Sequence, residues 1–298
     1  MNELKCTQMK KLLIVSGCSF TDENYISSVH PELDCSWPKW PELLAKKLDM
    51  DCINLGQNGA GNEYIYSTLL EEILRQKDKR KIGLVISAWT QCQRNDWQIL
   101  KSYKWMQSRF NVGGDVFGWV KKSLRFMVSL QLICERLNVP LKQCQMLNLF
   151  DGWVSGLGKT DNELWANIND PNFVRKYKYP GLSAEEDRKI CNQILMEYDP
   201  YINVKDFIGW PTIKSFGGFN IEEETVRKPL SKASNWEPTG AFSNRKFMRD
   251  GFIISEEDWE PTNYHKNYHK DMLISKYDVH PNEKGHQVIA EFMYEQLG

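Results

Sequence analysis

The sequence predicts an α/β protein, a three-layer, doubly wound parallel sheet with helices on both faces and a large aromatic-rich insertion. Three observations carry this expectation. Short apolar runs of strand length alternate with segments of helical spacing through the first half of the chain. Residues Ile82–Ala88 are almost continuously apolar, as expected of a strand covered on both faces. The alternation stops near residue 150 and resumes only near residue 272. Residues 1–150 and 269–298 are therefore expected to form one domain, interrupted by an insertion or lid at 151–268.

The elements follow in order. Lys11–Ser16 reads as a buried first strand that ends in a Gly17-Cys18-Ser19 turn. Trp40–Leu48 has helical spacing, with Leu43, Leu44, Ala45 and Leu48 on its buried side. Cys52–Leu55 is a second strand, stopped by Gly56. Ile65, Leu69 and Ile73 recur every four residues and predict a helix over Asn62–Gln76. A longer helix, Phe117–Leu137, carries Val120, Leu124, Met127, Leu130, Cys134 and Leu137 as one apolar stripe. Pro140 closes it, and Leu141–Phe150 reads as the fourth strand.

From 151 to 268 the periodicity is lost, and Trp153, Trp165, Trp210, Trp236 and Trp259 stand among many Asn, Gly and Pro residues. A structureless loop of that length does not suit a compact domain. Two readings stand: a lid over a ligand, or a peripheral aromatic mini-core. Ala184–Glu197 is the best helix within it. Order returns at Met272–Ser275, and a last helix runs from about Glu283 to Leu297.

Composition restricts the function classes. A net charge of −1 over 298 residues gives no broad pull toward nucleic acid or anionic lipid, so neither partner is expected. The run Leu12–Val15 is too short for a signal peptide, and no stretch approaches the roughly 20 apolar residues of a membrane span. The eight cysteines are scattered without a C-x-x-C pair, and Cys52, Cys134 and Cys144 sit in apolar runs as small hydrophobes. A cytoplasmic, reducing location is expected. No Gly-rich nucleotide motif is present, and His265 and His269 lack the Glu of an H-E-x-x-H site, so no cofactor and no metal is expected.

Two segments can carry chemistry. Ser19, in Gly17-Cys18-Ser19-Phe20-Thr21, stands directly after the first strand, where a side chain is presented at the sheet's carboxyl edge. A Ser there is either a helix N-cap or a nucleophile, and the hydroxyl needs a base to react. Asp278-Val279-His280-Pro281 places a carboxylate two residues before a His, just ahead of the last helix. A carboxylate so placed can fix an imidazole tautomer. The alternative is a plain surface turn.

Taken together, these segments resemble the SGNH hydrolases, the GDSL-like esterase and lipase superfamily, over about residues 11–95 and 270–298. GCSFT matches the family's first block at Ser19. Asn54-Leu55-Gly56-Gln57-Asn58-Gly59-Ala60 is similar to the second block, with Gly59 at the oxyanion-hole position. DVHPNEKGH resembles the last block, with His280 as base and Asp278 as orienting acid. The resemblance implies a flavodoxin-like fold and a serine esterase, with the oxyanion held by Ser19, Gly59 and Thr90.

Two departures accompany it. The third block's Asn is replaced at Ala88-Trp89-Thr90-Gln91, and the acid stands two residues before the His rather than three, where Tyr277 lies. The implied substrate is a small-molecule or glycan ester, with deacetylation of a glycan preferred because Trp and Tyr faces suit sugar rings. The missing Asn motivates a second reading, a binding or structural protein of the same fold with little turnover. Chains with GCSFT and a Trp-Thr third block resemble proteins of tailed-phage and bacterial genomes, where a virion or host-glycan role would fit. An O-acyltransferase using the same residues is the third reading.

Overall fold

The computed structural model describes residues 9–92, 94–99, 101–102, 104–108, 116–147, 193–194, 197–208, 272, 274–275, 278 and 280–297. The insertion's tryptophans, most of Ala184–Glu197, and His265 and His269 lie outside the described residues.

Among the described residues, five parallel strands form the central sheet: β1 (Leu12–Ser16), β2 (Asp51–Asn54), β3 (Ile82–Trp89), β6 (Leu141–Gln145) and β7 (Phe207–Ile208), in the order β2-β1-β3-β6-β7. Numbered along the chain within this sheet, the order is 2-1-3-4-5, the flavodoxin-type winding. The winding reverses between β1 and β3, and in sheets of this kind ligands bind at the carboxyl ends beside such a reversal. All five residues of β1 are buried, because helices cover both faces of this central strand.

Helices α1 (Trp40–Lys47) and α4 (Glu283–Glu295) pack on one face of the sheet, and α2 (Asn62–Gln76) and α3 (Val116–Leu137) on the other. Side-chain alternation along the strands decides which core each residue joins. Leu12, Ile14, Val85 and Trp89 meet α2 and α3, whereas Leu13, Val15, Ile86 and Ala88 meet α1 and α4. The expected stripe of α3 is buried from Val120 to Cys134. Asn138, in the left-handed conformation at φ 53°, ends that helix before Pro140.

Three features depart from the expectations. The fourth strand ends at Gln145, because the N–H groups of Met146 and Leu147 both turn to the Trp89 carbonyl, at 2.8 and 3.2 Å. A hairpin that the sequence reading lacked, β4 (Asn95–Ile99) with β5 (Lys104–Ser108), stands apart from the main sheet. Within the stretch taken as an insertion, Phe207 and Ile208 are buried and pair with Gln143 and Cys144, so they belong to the main sheet.

Candidate active site

The site is assembled at the carboxyl ends of β1 and β2 and at the amino end of α4. After Ser16 the chain turns sharply, and the N–H groups of Thr21 and Asp22 both donate to the Cys18 carbonyl. Cys18 goes into the core, and Ser19 is also largely buried, at the carboxyl end of β1. No α-helix follows until Trp40, so Ser19 caps none. Its hydroxyl instead meets His280: Oγ and Nε2 are 2.8 Å apart.

The loop after β2 is laced to this turn, largely through backbone groups. Leu55 N–H donates to Val15 O at 2.7 Å and Gln57 N–H to Gly17 O at 3.0 Å. Asn58 N–H donates to the Asp22 carboxylate at 2.8 Å, and the Asn54 amide donates to Thr21 O at 2.7 Å. Gly56 makes this approach possible, because a Cβ there would stand 2.6 Å from the Thr21 carbonyl carbon. Gly59 adopts φ 80°, a region that favours glycine. Neither Ser19 N–H nor Gly59 N–H has an acceptor among the described residues.

On the other side, the turn before α4 closes through Ile274 N–H to His280 O and Ser275 N–H to Asp278 O. Asn282 caps α4, its side chain accepting from Gly285 N–H at 3.0 Å. Asp278 is buried, and its Oδ1 lies 2.6 Å from His280 Nδ1. A carboxylate only accepts, so Nδ1 carries the proton and the Nε2 lone pair faces the Ser19 hydroxyl. Burial by itself would raise the Asp278 carboxyl. Hydrogen bonds from His280 and Ser27, with the attraction of His280, outweigh burial and hold the group well below the ordinary carboxylate range.

Further contacts at this acid come from the long segment between β1 and α1, and the sequence reading missed them. Ser27 Oγ donates to Asp278 Oδ2 at 2.5 Å. Tyr25 OH lies 3.0 Å from the same oxygen and 2.8 Å from His280 Nδ1, and its ring stacks on the imidazole at 4.2 Å. Neither residue belongs to a motif or a periodic pattern. The available signal was the loop's length, since long loops without secondary structure in compact domains are commonly functional.

Thr90 follows β3, with its backbone held by Asn62: N–H to Oδ1 at 2.8 Å, and O to Nδ2 at 2.9 Å. Its hydroxyl is enclosed and meets no hydrogen-bond partner among the described residues. The Gln91 amide oxygen accepts from Arg94 at 2.9 Å. Asp96 caps α2 from the hairpin, accepting from Gly61 N–H and Tyr64 N–H at 2.8 and 3.0 Å. The structure thus brings Ser19, His280 and Asp278 into one hydrogen-bonded chain, whereas Thr90 faces no open space.

Other nucleophilic or ligating groups are disposed differently. Burial pushes the Cys52 and Cys134 thiols up to about 12, so neither is a ready thiolate. Among the described residues no three His, Cys, Asp or Glu side chains converge as metal ligands, and no helix is long and apolar enough to cross a membrane.

No family model and no curated protein matches the sequence. The fold is similar to that of several solved structures at low identity. One is described as a lipolytic protein of the G-D-S-L family from Desulfitobacterium hafniense DCB-2, at 12% identity over 96% of this chain and 99% of that one, with a TM-score of 0.39. Another is described as a GDSL-like lipase from Parabacteroides merdae ATCC 43184, at 13% identity over 97% of each chain and a TM-score of 0.40. A third is a catalytic mutant of the acetylxylan esterase Axe2 from Geobacillus stearothermophilus, at 12% identity over 97% and 94%, with a TM-score of 0.37.

Proposed function

We propose that this chain is a serine esterase of the SGNH type, acting on a short-chain ester such as an O-acetyl group on a glycan. The observation that carries the reading is the chain of contacts from Ser19 Oγ to His280 Nε2 at 2.8 Å and from His280 Nδ1 to Asp278 at 2.6 Å. Ser19 Oγ attacks the ester carbonyl while its proton passes to His280 Nε2, and the imidazolium is stabilised by ionised Asp278. His280 then gives that proton to the departing alcohol. Water, deprotonated by His280, attacks the acyl-Ser19 ester and releases the acid, returning the proton to Ser19.

The oxyanion is held by the N–H groups of Ser19 and Gly59, both without intramolecular acceptors among the described residues. Thr90 joins them only if a bound ester opens the wall around its hydroxyl. Ser19 is only 5% exposed, which favours a small acyl group. The aromatic content of 151–268 supports a sugar as the alcohol part.

A p-nitrophenyl acetate assay and fluorophosphonate labelling test the reading together. Wild type is expected to turn over and to be labelled. Ser19→Ala should lose labelling and at least about 10⁴-fold in kcat. Absence of both signals in wild type sinks the reading. The enclosed Thr90 hydroxyl favours one second reading, a low-turnover member of the fold, and labelling without measurable turnover is its signature.

A further inference from the structure

We propose that Tyr25 and Ser27 are positioning residues that hold the acid and the base in register with Ser19. This inference rests on the esterase reading and extends it to two side chains outside the expected motifs. The two-residue spacing from Asp278 to His280 creates the need for them. In this tight turn both the imidazole Nδ1 and the backbone N–H of His280 crowd onto one carboxylate oxygen, Oδ1, at 2.6 and 3.1 Å. Within the described part of the turn, no donor reaches Oδ2. A buried carboxylate oxygen without a donor is costly and leaves the group free to rotate.

Ser27 and Tyr25 supply those donors. Ser27 Oγ donates to Oδ2 at 2.5 Å, and its own oxygen accepts from His30 N–H at 2.9 Å, which fixes the direction of its proton. Tyr25 OH donates to Oδ2 at 3.0 Å. The phenol oxygen also stands 2.8 Å from His280 Nδ1, as a second acceptor for the proton that Nδ1 already carries. Phe20 approaches the same imidazole at 4.9 Å between ring centroids, so aromatic contacts limit its swing.

Three outer contacts brace the arrangement. Ser275 Oγ accepts from Asp278 N–H at 3.0 Å and meets His30 Nε2 at 2.7 Å, and His30 Nδ1 lies 3.6 Å from Glu32. Tyr25, Ser27 and His30 share the segment that follows Ser19, so the nucleophile's own loop grips the acid. The register between Ser19 and His280 is therefore set by side chains of the N-terminal loop.

Tyr25→Phe keeps the ring and removes the hydroxyl, Ser27→Ala removes the donor, and Ser27→Thr keeps it. A hydrogen bond to a charged group supports an expected loss of about ten-fold in kcat for Tyr25→Phe and for Ser27→Ala, with KM unchanged. Ser27→Thr should recover most of the loss. A second readout needs no turnover: the His280 Nδ1–H proton resonance should be protected from solvent exchange in wild type and broadened in the two deletion variants. Unchanged kcat with an unchanged resonance overturns the proposal. So does a loss that Ser27→Thr fails to restore while the resonance stays put, since that marks a structural role. If wild type shows neither fluorophosphonate labelling nor turnover of p-nitrophenyl acetate, the esterase reading fails, and the resonance still decides whether these residues hold the imidazole.

Discussion

The two halves of the site are built on different principles. The half that carries Ser19 is joined to the Gly59 loop mainly by backbone groups, from Leu55 to Val15 and from Gln57 to Gly17, with glycine where the two strands of chain touch. The half that carries His280 relies more on side chains: Ser27 and Tyr25 on Asp278, and His286 on α1. Backbone contacts depend on shape and resist change of side-chain chemistry. Side-chain contacts depend on protonation and on individual hydroxyls. The first half should therefore fail by steric insult, the second by acid or by loss of one donor.

The largest expected effect of breaking the first half is at Gly56. Alanine there brings its Cβ to 2.6 Å from the Thr21 carbonyl carbon and 2.7 Å from Asp22 N, both backbone atoms that cannot swing away. Overpacking of this kind costs about 1–3 kcal/mol, and an ångström of displacement at a reacting group can cost about a hundred-fold in rate. Gly56→Ala is expected to lower the urea midpoint and kcat together. A variant with wild-type stability and rate would show that the lacing is not what aligns Ser19.

Acid should address the second half. His286 is buried on α4, and its Nδ1 accepts Trp40 N–H at 3.2 Å, tying α4 to the start of α1. Burial, then Lys39 and His280, pushes its pKa down to about 3, whereas an unfolded histidine titrates near 6.5. Between those values the unfolded chain binds the proton and the folded chain refuses it. Stability from this group is thus present above pH 6.5 and is lost as pH falls, with a slope of at most about 1.4 kcal/mol per pH unit.

Two other sets of groups contribute to the same experiment. Asp278 adds the same sign of dependence only below the ordinary carboxylate range. Glu42 and Asp96, raised by burial, act in the opposite sense above their unfolded values, since their protonated forms favour the folded chain. Comparing His286→Gln with wild type by urea unfolding at pH 4.5 to 7 cancels those shared terms. The variant should show the shallower loss of stability on acidification, and equal slopes would remove His286 as the anchor of this half.

The same division explains what could be read from the sequence. Backbone-built features leave local marks: Gly56 and Gly59, the apolar run of β1 and the four-residue repeat of α2 were legible, and α2 begins and ends where its spacing predicts. The hairpin β4–β5 was not, because its pattern is inverted. Asp96 and Gln107 pair on the face where Asp96 caps α2, while Trp97, Ile99 and Met106 are exposed. β7 has only two residues, too few for any period. Tyr25 and Ser27 gain their meaning from Asp278, about 250 positions away, and nothing local announces such a contact.

The smallest expected effect concerns Thr90, which the sequence placed among the oxyanion donors. Thr90→Val keeps the shape of the side chain and removes a hydroxyl that is enclosed and unpartnered among the described residues. An unsatisfied buried hydroxyl costs about 1–3 kcal/mol, so the variant should be at least as stable as wild type. If Ser19 and Gly59 alone hold the oxyanion, kcat on p-nitrophenyl acetate should change by less than about three-fold, far below the hundred- to thousand-fold that follows loss of a working donor. A loss on that larger scale would mean that ester binding opens the wall around Thr90. The site would then draw a third donor from beyond β3, and the oxyanion would no longer rest on backbone N–H groups alone.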